Sequence, residues 1–110
     1  MAYYLLTFGF TSETTKGLVQ KPEDRRATAA EALEALGCKL HDYFFSFGKY
    51  DAVVIIEGPD NATAAAVSML IGSSGAFSHV ETTPLITMEE AVKAMKKAKK
   101  VTGSYRPPGR

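Results

Sequence analysis

The sequence predicts an α+β protein with the ferredoxin-like arrangement β-α-β-β-α-β followed by one more helix. The first observation behind this prediction is that four apolar segments of strand length alternate with segments whose apolar residues recur at helical spacing. The second is their order, because helical segments follow the first and third strands, which is the split-βαβ pattern. This pattern predicts an antiparallel four-stranded sheet of spatial order 4-1-3-2 with its helices on one face.

The first strand is predicted at Ala2–Phe10, an uninterrupted apolar segment rich in aromatic residues. Thr11–Ser12 supplies a cap for a helical region that continues to Leu36. Pro22, which two acidic residues follow, indicates that a helix restarts there, since proline is tolerated in a first helical turn. Gly37 is expected to end the region as the glycine that follows a helix C-terminus.

Two strands and a helix are predicted in the middle of the chain. Lys39–Phe47 and Ala52–Glu57 are the second and third strands. Asp60 is expected to cap a helix that runs to about Ile71. Gly75 closes the glycine–serine segment that stops this helix.

The C-terminal part is predicted to contain the fourth strand and a last helix. The strand is Phe77–Ile86, where Pro84 favours a position at the edge of the sheet. Thr87–Glu90 has the pattern of a capping box and opens the helix, whose apolar residues are expected to point inward. These residues are Met88, Ala91, Val92 and Met95. Residues 1–100 are expected to form one domain and residues 101–110 an irregular arm.

The composition is that of an ordinary globular protein, with 45% hydrophobic and 23% charged residues among 110. No apolar run approaches the roughly 18 residues that span a bilayer, and the first residues carry no basic leader. The single cysteine, Cys38, cannot form an internal disulfide and is expected to be a small buried hydrophobic residue. These features predict a soluble cytoplasmic protein that does not contact membranes.

The charge is unevenly distributed along the chain. Residues 1–92 hold 6 Lys/Arg and 12 Asp/Glu, whereas residues 93–110 hold 7 Lys/Arg and no acidic residue. A basic end can bind nucleic acid, but no aromatic residues interleave the lysines as stacking platforms. The lysines are better explained as complementing the dipole of the last helix. The sequence therefore argues against nucleic-acid binding.

Two predicted strands are apolar on both faces. Val53 and Ile55 lie opposite the apolar set of the third strand, and Tyr3 and Leu5 do the same in the first strand. Helices can cover only one face of such a sheet, and a soluble monomer rarely exposes a large apolar patch. We therefore expect a homodimer or higher oligomer, built sheet to sheet.

The motif Gly48–Asp51, followed by the strand and turn Val53–Asp60, resembles the GYD-domain family, which is named for its Gly-x-Tyr-Asp motif. The resemblance runs from Tyr4 to about Ala98. It implies a small bacterial protein of the dimeric α+β-barrel type, without an assigned activity.

A fainter likeness links the glycine–aspartate turn before the third strand to the ligand-sensing domains of the feast/famine (Lrp/AsnC) regulators. Those regulators carry a separate helix-turn-helix domain, for which this sequence has no room. The likeness suggests effector binding without direct operator recognition.

The Gly48–Asp51 segment is predicted to be first a hairpin and only second the rim of a site. Only Lys49 and Tyr50 stand between Gly48 and Asp51, which predicts a tight connection with a positive φ at Gly48. Asp51 is expected to accept a hydrogen bond from a nearby backbone N–H. Tyr50 is expected to lay its ring on an adjacent element.

The best polar cluster of the sequence lies on the fourth strand, where His79, Glu81 and Thr83 share one face. A neutral imidazole beside a carboxylate can act as a general base, although polar residues are also ordinary on an edge strand. The second histidine, His41, is expected on the opposite edge of the sheet, roughly 14 Å away. No metal site is predicted, since the histidines are far apart and no Cys-x-x-Cys motif occurs.

Two functions remain open from the sequence. The first is a small-molecule-binding module, with an apolar pocket between helices and sheet or at a dimer interface. Tyr43, Phe44, Phe45 and Phe47 are candidates to line it, unless they simply form the core. The second is a cofactor-independent enzyme similar to the monooxygenases and isomerases found among dimeric barrels. Neither function implies a cofactor, and the candidate binding residues are His79, Glu81, Tyr43, Tyr50 and Asp51.

Overall fold

The computed structural model describes residues 1–110 and has the predicted order of elements, with the first helical region divided in two. The elements are β1 Ala2–Phe10, α1 Ser12–Gln20, α2 Arg26–Ala35, β2 Lys39–Phe45, β3 Ala52–Gly58, α3 Asn61–Gly72, β4 Phe77–Leu85, α4 Met88–Lys99 and a 3-10 turn Thr102–Ser104. All strand pairs are antiparallel, in the order β2-β3-β1-β4. This is the predicted order 4-1-3-2 counted from the other edge, so the ferredoxin-like fold class is confirmed.

The helix caps are those that the sequence indicates. The Thr11 hydroxyl accepts the backbone N–H of Thr14 at the start of α1, and the Asp60 carboxylate accepts that of Thr63 at the start of α3. At the start of α4, Thr87 and Glu90 form a complete capping box. Each cap satisfies backbone N–H groups that have no partner inside the helix, which fixes where the helix begins.

The residue after α2 has the backbone conformation that the sequence predicts. Gly37 has a φ of 75°, and its N–H donates to the carbonyl of Glu34. The next N–H, of Cys38, donates to the carbonyl of Leu33. These two hydrogen bonds form a Schellman motif, which ends α2 and turns the chain directly into β2.

The hydrophobic core lies between one face of the sheet, here called the helix face, and the helices α2 and α3, while α1 lies over the same face without contributing a buried residue. Alternate residues of the central strands β1 and β3 form its floor, and they are Tyr4, Leu6, Phe8, Ala52, Val54 and Ile56. Leu33 and Cys38, with Ala64 and Val67 of α3, pack on this floor. Cys38 is buried, as predicted.

The second helix does not restart at the proline. Pro22 lies in the connection after α1, and α2 begins only at Arg26. The Asp24 carboxylate accepts the backbone N–H of Arg26 at 2.9 Å and also pairs with its guanidinium, so the turn is stabilised here rather than at the proline. Hydrogen bonds from the Arg26 side chain and backbone lower the pKa of Asp24 to about 2.

The last helix is exposed, which contradicts the expectation that its apolar side chains point inward. None of its residues is buried, and Met88 is 75% exposed and Met95 62%. The helix extends away from the body of the protein. The longest dimension is therefore 60 Å, and the radius of gyration is 17.9 Å, against about 13 Å for a compact chain of this length.

The second face of the sheet, here called the outer face, is covered by no helix. It carries Tyr3 and Leu5 of β1 and Val53 and Ile55 of β3, all only partly buried, because every packed helix lies on the helix face. The two-sided apolar pattern of these strands thus leaves an apolar surface open in the single chain. No helix combines the length and the apolar composition needed to cross a bilayer.

The positive φ at Gly37 makes a first prediction. We expect Gly37→Ala to lower the free energy of unfolding by about 1–2 kcal/mol, because an L side chain is disfavoured in this conformation. Gly72→Ala is the matched control, since a Cβ has free space at both positions but Gly72 is helical with no positive φ. Urea unfolding compares the two variants. Equal stabilities would show that the motif after α2 does not depend on glycine.

Candidate functional site

A cavity of about 740 Å³ lies between the helix face of the sheet and the helices α1, α2 and α3. Sixteen of the twenty-four residues that line it are hydrophobic. Leu6, Phe8 and Val54 form its floor, and Leu18 and Ala29 belong to the helices above it. It arises because α1 and α2 are joined by a short irregular segment and pack loosely on the strands. The cavity is therefore a property of the single chain, without a contribution from a second copy.

The polar residues of the cavity are concentrated near the connection between α1 and α2. Lys21, Glu23 and Arg25 come from this connection, and Arg25 Nη1 lies 3.4 Å from Glu23 Oε1. Tyr43 of β2 also lines the cavity. Burial raises the pKa of Tyr43, and the positive charge of Arg25 only partly offsets this effect. The Tyr43 hydroxyl therefore stays protonated and can donate a hydrogen bond.

Only one of the four aromatic residues proposed to line a pocket lies in the cavity. Tyr43 faces it, whereas Phe44, Phe45 and Phe47 do not line it and are 61%, 54% and 101% exposed. Phe44 points to the outer face, Phe45 is at the open end of the edge strand, and Phe47 is in the following loop. The expectation that all four would line a pocket or form the core was wrong for Phe44 and Phe47, because β2 is an edge strand that ends at Phe45. Phe45 lies outside this cavity but, with Tyr43, lines a smaller one of about 210 Å³ beside the connection between α1 and α2.

The loop around the glycine–tyrosine–aspartate motif is longer than a tight hairpin. It comprises residues 46–51, and the Ser46 N–H donates to the Asp51 carbonyl at 2.9 Å. The Ser46 hydroxyl donates to the Tyr50 carbonyl at 2.6 Å. Gly48 does not have a positive φ. The predicted two-residue turn was wrong, because this wider loop needs no residue in the left-handed conformation.

Asp51 joins the loop to the central strand. Its Oδ2 accepts the Phe10 N–H at 2.8 Å, and its own N–H donates to the Phe8 carbonyl at 2.9 Å. Asp51 thus accepts a backbone hydrogen bond as expected, but the donor lies 41 residues away in β1 rather than in the loop itself. The Asp51 side chain thus continues the hydrogen bonding between β1 and the chain just before β3 begins at Ala52.

The structure brings Tyr50 together with the polar residues of β4 in what we call the outer-face cluster, formed by Tyr50, Ser78, His79 and Glu81. The Tyr50 hydroxyl donates to Glu81 Oε2 at 2.6 Å, and the Tyr50 and His79 rings lie 5.4 Å apart. His79 Nδ1 is 3.1 Å from the Ser78 hydroxyl. Glu81 is thus bonded to Tyr50, and its carboxylate does not pair with His79.

The position of His79 depends on a glycine in the neighbouring strand. Gly9 of β1 lies opposite His79, and a Cβ on Gly9 would stand 2.6 Å from the imidazole Cε1. The ring therefore uses the space that the glycine leaves. Sequence reasoning placed the tyrosine motif and the β4 residues separately, since nothing in the spacing indicates that residues 50 and 79 meet.

His41 belongs to an arrangement that sequence reasoning missed. The pairing of β2 with β3 shifts between Leu40 and Asp42, so His41 is the extra residue of a β-bulge. Its Nε2 lies 2.8 Å from Glu57 Oε1, and its ring is 5.4 Å from that of Tyr3. The sequence predicts only an edge strand here, since no residue of Lys39–Phe45 marks the bulge. The chain contains no group of three His, Cys, Asp or Glu side chains able to hold a metal ion.

Comparisons with known proteins identify relatives by sequence and by fold. Residues 4–95 match the family model described as the GYD domain. Among solved structures, the hypothetical protein PHS023 from Pyrococcus horikoshii has a TM-score of 0.51 at 14% identity, covering 79% of this chain and 92% of that one. FFRP-DM1 has a TM-score of 0.50 at 14% identity, covering 78% and 100%. At this identity the likeness shows the fold alone. No curated protein matches the sequence.

The hydrogen bond between the Asp51 carboxylate and β1 leads to a second prediction, which concerns the stability of the protein. We expect Asp51→Ala to lower the free energy of unfolding by about 1–3 kcal/mol, because the Phe10 N–H then loses its acceptor. Asp51→Asn keeps an acceptor oxygen and should lose less. Glu31→Ala is the control, since Glu31 is an exposed carboxylate of α2 without a hydrogen-bond partner. A variant at Asp51 that unfolds like the native protein but loses ligand binding would instead make this carboxylate part of a site.

Proposed function

The chain belongs to the GYD domain family, and from that premise we propose that it is a homodimeric module whose cavity binds a small, largely apolar molecule. The observation that supports this proposal is the cavity itself. Its volume of about 740 Å³ is within the roughly 300–1,000 Å³ that is usual for small-molecule sites. An apolar lining with a few polar groups at one end is also typical of such sites.

The polar groups suggest which end of the ligand they would contact. The protonated Tyr43 hydroxyl is a donor, and the Arg25 guanidinium adds a positive charge beside it. A carbonyl or carboxylate oxygen is complementary to these two groups. The proposed ligand is therefore an apolar body that carries one such oxygen-containing group, with the body among the leucine, phenylalanine and valine side chains.

The alternative function is a cofactor-independent enzyme, similar to a monooxygenase or an isomerase, that acts on a small apolar substrate. Such a reaction needs a group in the cavity that takes up a proton near neutral pH. The ionisable residues that line the cavity are Lys21, Glu23, Arg25 and Tyr43, whereas both histidines are on the outer face. The Glu23 carboxylate is half exposed to water and pairs with Arg25, and the raised pKa of Tyr43 makes its hydroxyl a poor base at neutral pH. Binding is therefore favoured over catalysis, and no cofactor is proposed.

The homodimer is proposed from the outer face. Leu5, Val53 and Ile55 form an apolar surface there that no element of the same chain covers. A two-fold dimer brings the same surface of two copies together and removes both from water at once. Since the cavity is on the opposite side of the sheet, dimerisation and ligand binding can be tested separately.

The cavity proposal is tested with anilinonaphthalene sulfonate, an aromatic anion whose fluorescence rises in apolar surroundings. We expect Ala29→Phe to weaken its affinity about tenfold or more, because the new ring occupies the cavity. Ala27→Phe is the matched control, as Ala27 is exposed on the same helix and does not line the cavity. Tyr43→Phe should weaken binding about three- to tenfold through one lost hydrogen bond. Equal affinities in all four proteins would reject the cavity as the site.

The dimer is tested by substitutions at two neighbouring residues of β3. We expect sedimentation at micromolar concentration to show a dimer, and Ile55→Asp to give a folded monomer, since Ile55 lies on the outer face. Val54→Asp should instead unfold the chain, because Val54 is buried in the core. A native protein that sediments as a stable monomer would refute the dimer without affecting the cavity proposal.

A further inference from the structure

The helix α4 has an apolar side that its own chain leaves largely exposed. Met88, Val92 and Met95 recur at helical spacing on this side, and they are 75%, 44% and 62% exposed. The lysines of the helix lie mainly elsewhere on its circumference. In a helix that simply extended into solvent, polar residues would be expected all round.

A helix of this length needs contacts to remain folded. The 12 residues of α4 are at the limit below which isolated helices are marginal in water. Its capping box contributes about 1 kcal/mol, which is small beside the conformational entropy of 12 residues. Most helical stability in proteins comes from packing an amphipathic face. The structure of α4 therefore implies a surface that covers Met88, Val92 and Met95.

We propose that α4 of each protomer packs on a second copy of this chain, along the β2 edge of that copy's outer face. This inference extends the proposed homodimer, in which the outer faces meet. In this assembly the apolar side of each α4 is buried against the second copy. The exposed β2 edge of each copy is likewise buried by the α4 of the other. One two-fold assembly thus accounts for both uncovered apolar surfaces of the chain.

Some charges of the two surfaces are complementary. After the two glutamates of its first turn, α4 carries only basic charges, on Lys93, Lys96, Lys97 and Lys99. On the outer face beside β2, Asp42 is exposed and Glu57, which pairs with His41, is partly exposed, with one basic residue, Lys39, opposite Glu57. In the proposed position the lysines that flank the apolar side of α4 would lie near Asp42 and Glu57, and its methionines would lie near the exposed ring of Phe44.

The connectivity of the sheet permits this position. Only Ile86 and Thr87 separate β4 from α4, so the helix begins at the end of the sheet where Leu85 pairs with Tyr3 and Tyr3 with Glu57. A two-fold axis parallel to the strands places β4 of one copy near β2 of the other. The ends of the two sheets that contain Leu85 and Glu57 then lie side by side, so α4 of one copy begins beside β2 of the other. The 12-residue helix is about 18 Å long and the 7-residue β2 about 23 Å, so one can lie along the other.

A membrane surface or a nucleic acid would also attract a basic amphipathic helix. Either of them would cover α4 only and would leave the apolar outer face of the sheet in water. A second copy covers both surfaces, which is why we favour it. Binding of α4 to a membrane surface or to a nucleic acid is tested separately with vesicles and RNA.

The first experiment compares two substitutions on α4 in the full chain. We expect Met95→Asp to weaken dimerisation at least about tenfold in sedimentation, because it places a charge on the apolar side. Ala94→Asp adds the same charge on another side of the same helix and should change the dissociation constant less than about threefold. If Ile55→Asp dissociates the dimer and Met95→Asp does not, the dimer stands and the position proposed for α4 is wrong.

The second experiment locates the helix by disulfide formation between two differently tagged chains. One chain carries Met95→Cys and the other Phe44→Cys, and oxidation of the mixture should link the two tags. A chain with Ala94→Cys, mixed in the same way, should link much less. Linkage inside a single chain that carries both Met95→Cys and Phe44→Cys, with none between chains, would show that α4 folds back on its own sheet and would overturn the proposal.

The same variants test whether α4 instead binds a membrane surface or a nucleic acid. The native protein is mixed with phosphatidylserine vesicles and, separately, with a single-stranded RNA. We expect neither interaction to depend on Met95. Loss of vesicle or RNA binding in Met95→Asp, with an unchanged dimer dissociation constant, would assign the helix to that partner and reject the second copy.

Discussion

The architecture of this protein is determined by one constraint: its sheet is apolar on both faces, but the helices of the chain can cover only one of them. In this topology both crossovers run over the same side, so α1, α2 and α3 pack on the helix face and leave the outer face open. The central strands β1 and β3 nevertheless carry apolar residues on both faces. The result is a small core of only ten buried residues beside an open cavity. Space that is not packed lowers stability, so its presence favours a role in binding.

Sequence reasoning predicted the fold well where local chemistry decides structure. Strand periodicity gave the sheet, and the caps at Thr11, Asp60 and Thr87 are side-chain hydrogen bonds within one turn. Sequence reasoning was wrong or silent where contacts between distant parts of the chain determine the structure. The apolar side of α4 indicates that the helix packs against another surface, but the sequence does not show that this surface is absent from its own chain. The bulge at His41 likewise follows from pairing with β3, which no local pattern reveals.

The candidate residues divide between two sides of the sheet. Tyr43 was found from its aromatic neighbourhood and lies in the cavity, while the three phenylalanines predicted beside it do not line the cavity. Tyr50, His79 and Glu81 were each singled out from the sequence, yet their meeting on the outer face depends on the pairing of β4 with β1 and on the length of the loop. Asp51 is bonded to the backbone of β1, so the family motif contributes to the fold directly.

The single thiol of the chain is placed where it can report on local opening at the C-terminal end of α2. Cys38 follows the glycine that ends α2, and its sulfur lies within 3.1 Å of where a side chain on Gly58 would begin. Burial raises its pKa, so in the closed protein it is both shielded and protonated and reacts slowly. Cys38 does not line the cavity, but it is buried beneath the C-terminal end of α2, so reaction of its thiol requires local opening at this end of the helix. The rate at which an alkylating reagent modifies Cys38 therefore measures how often this part of the core opens, without any added label.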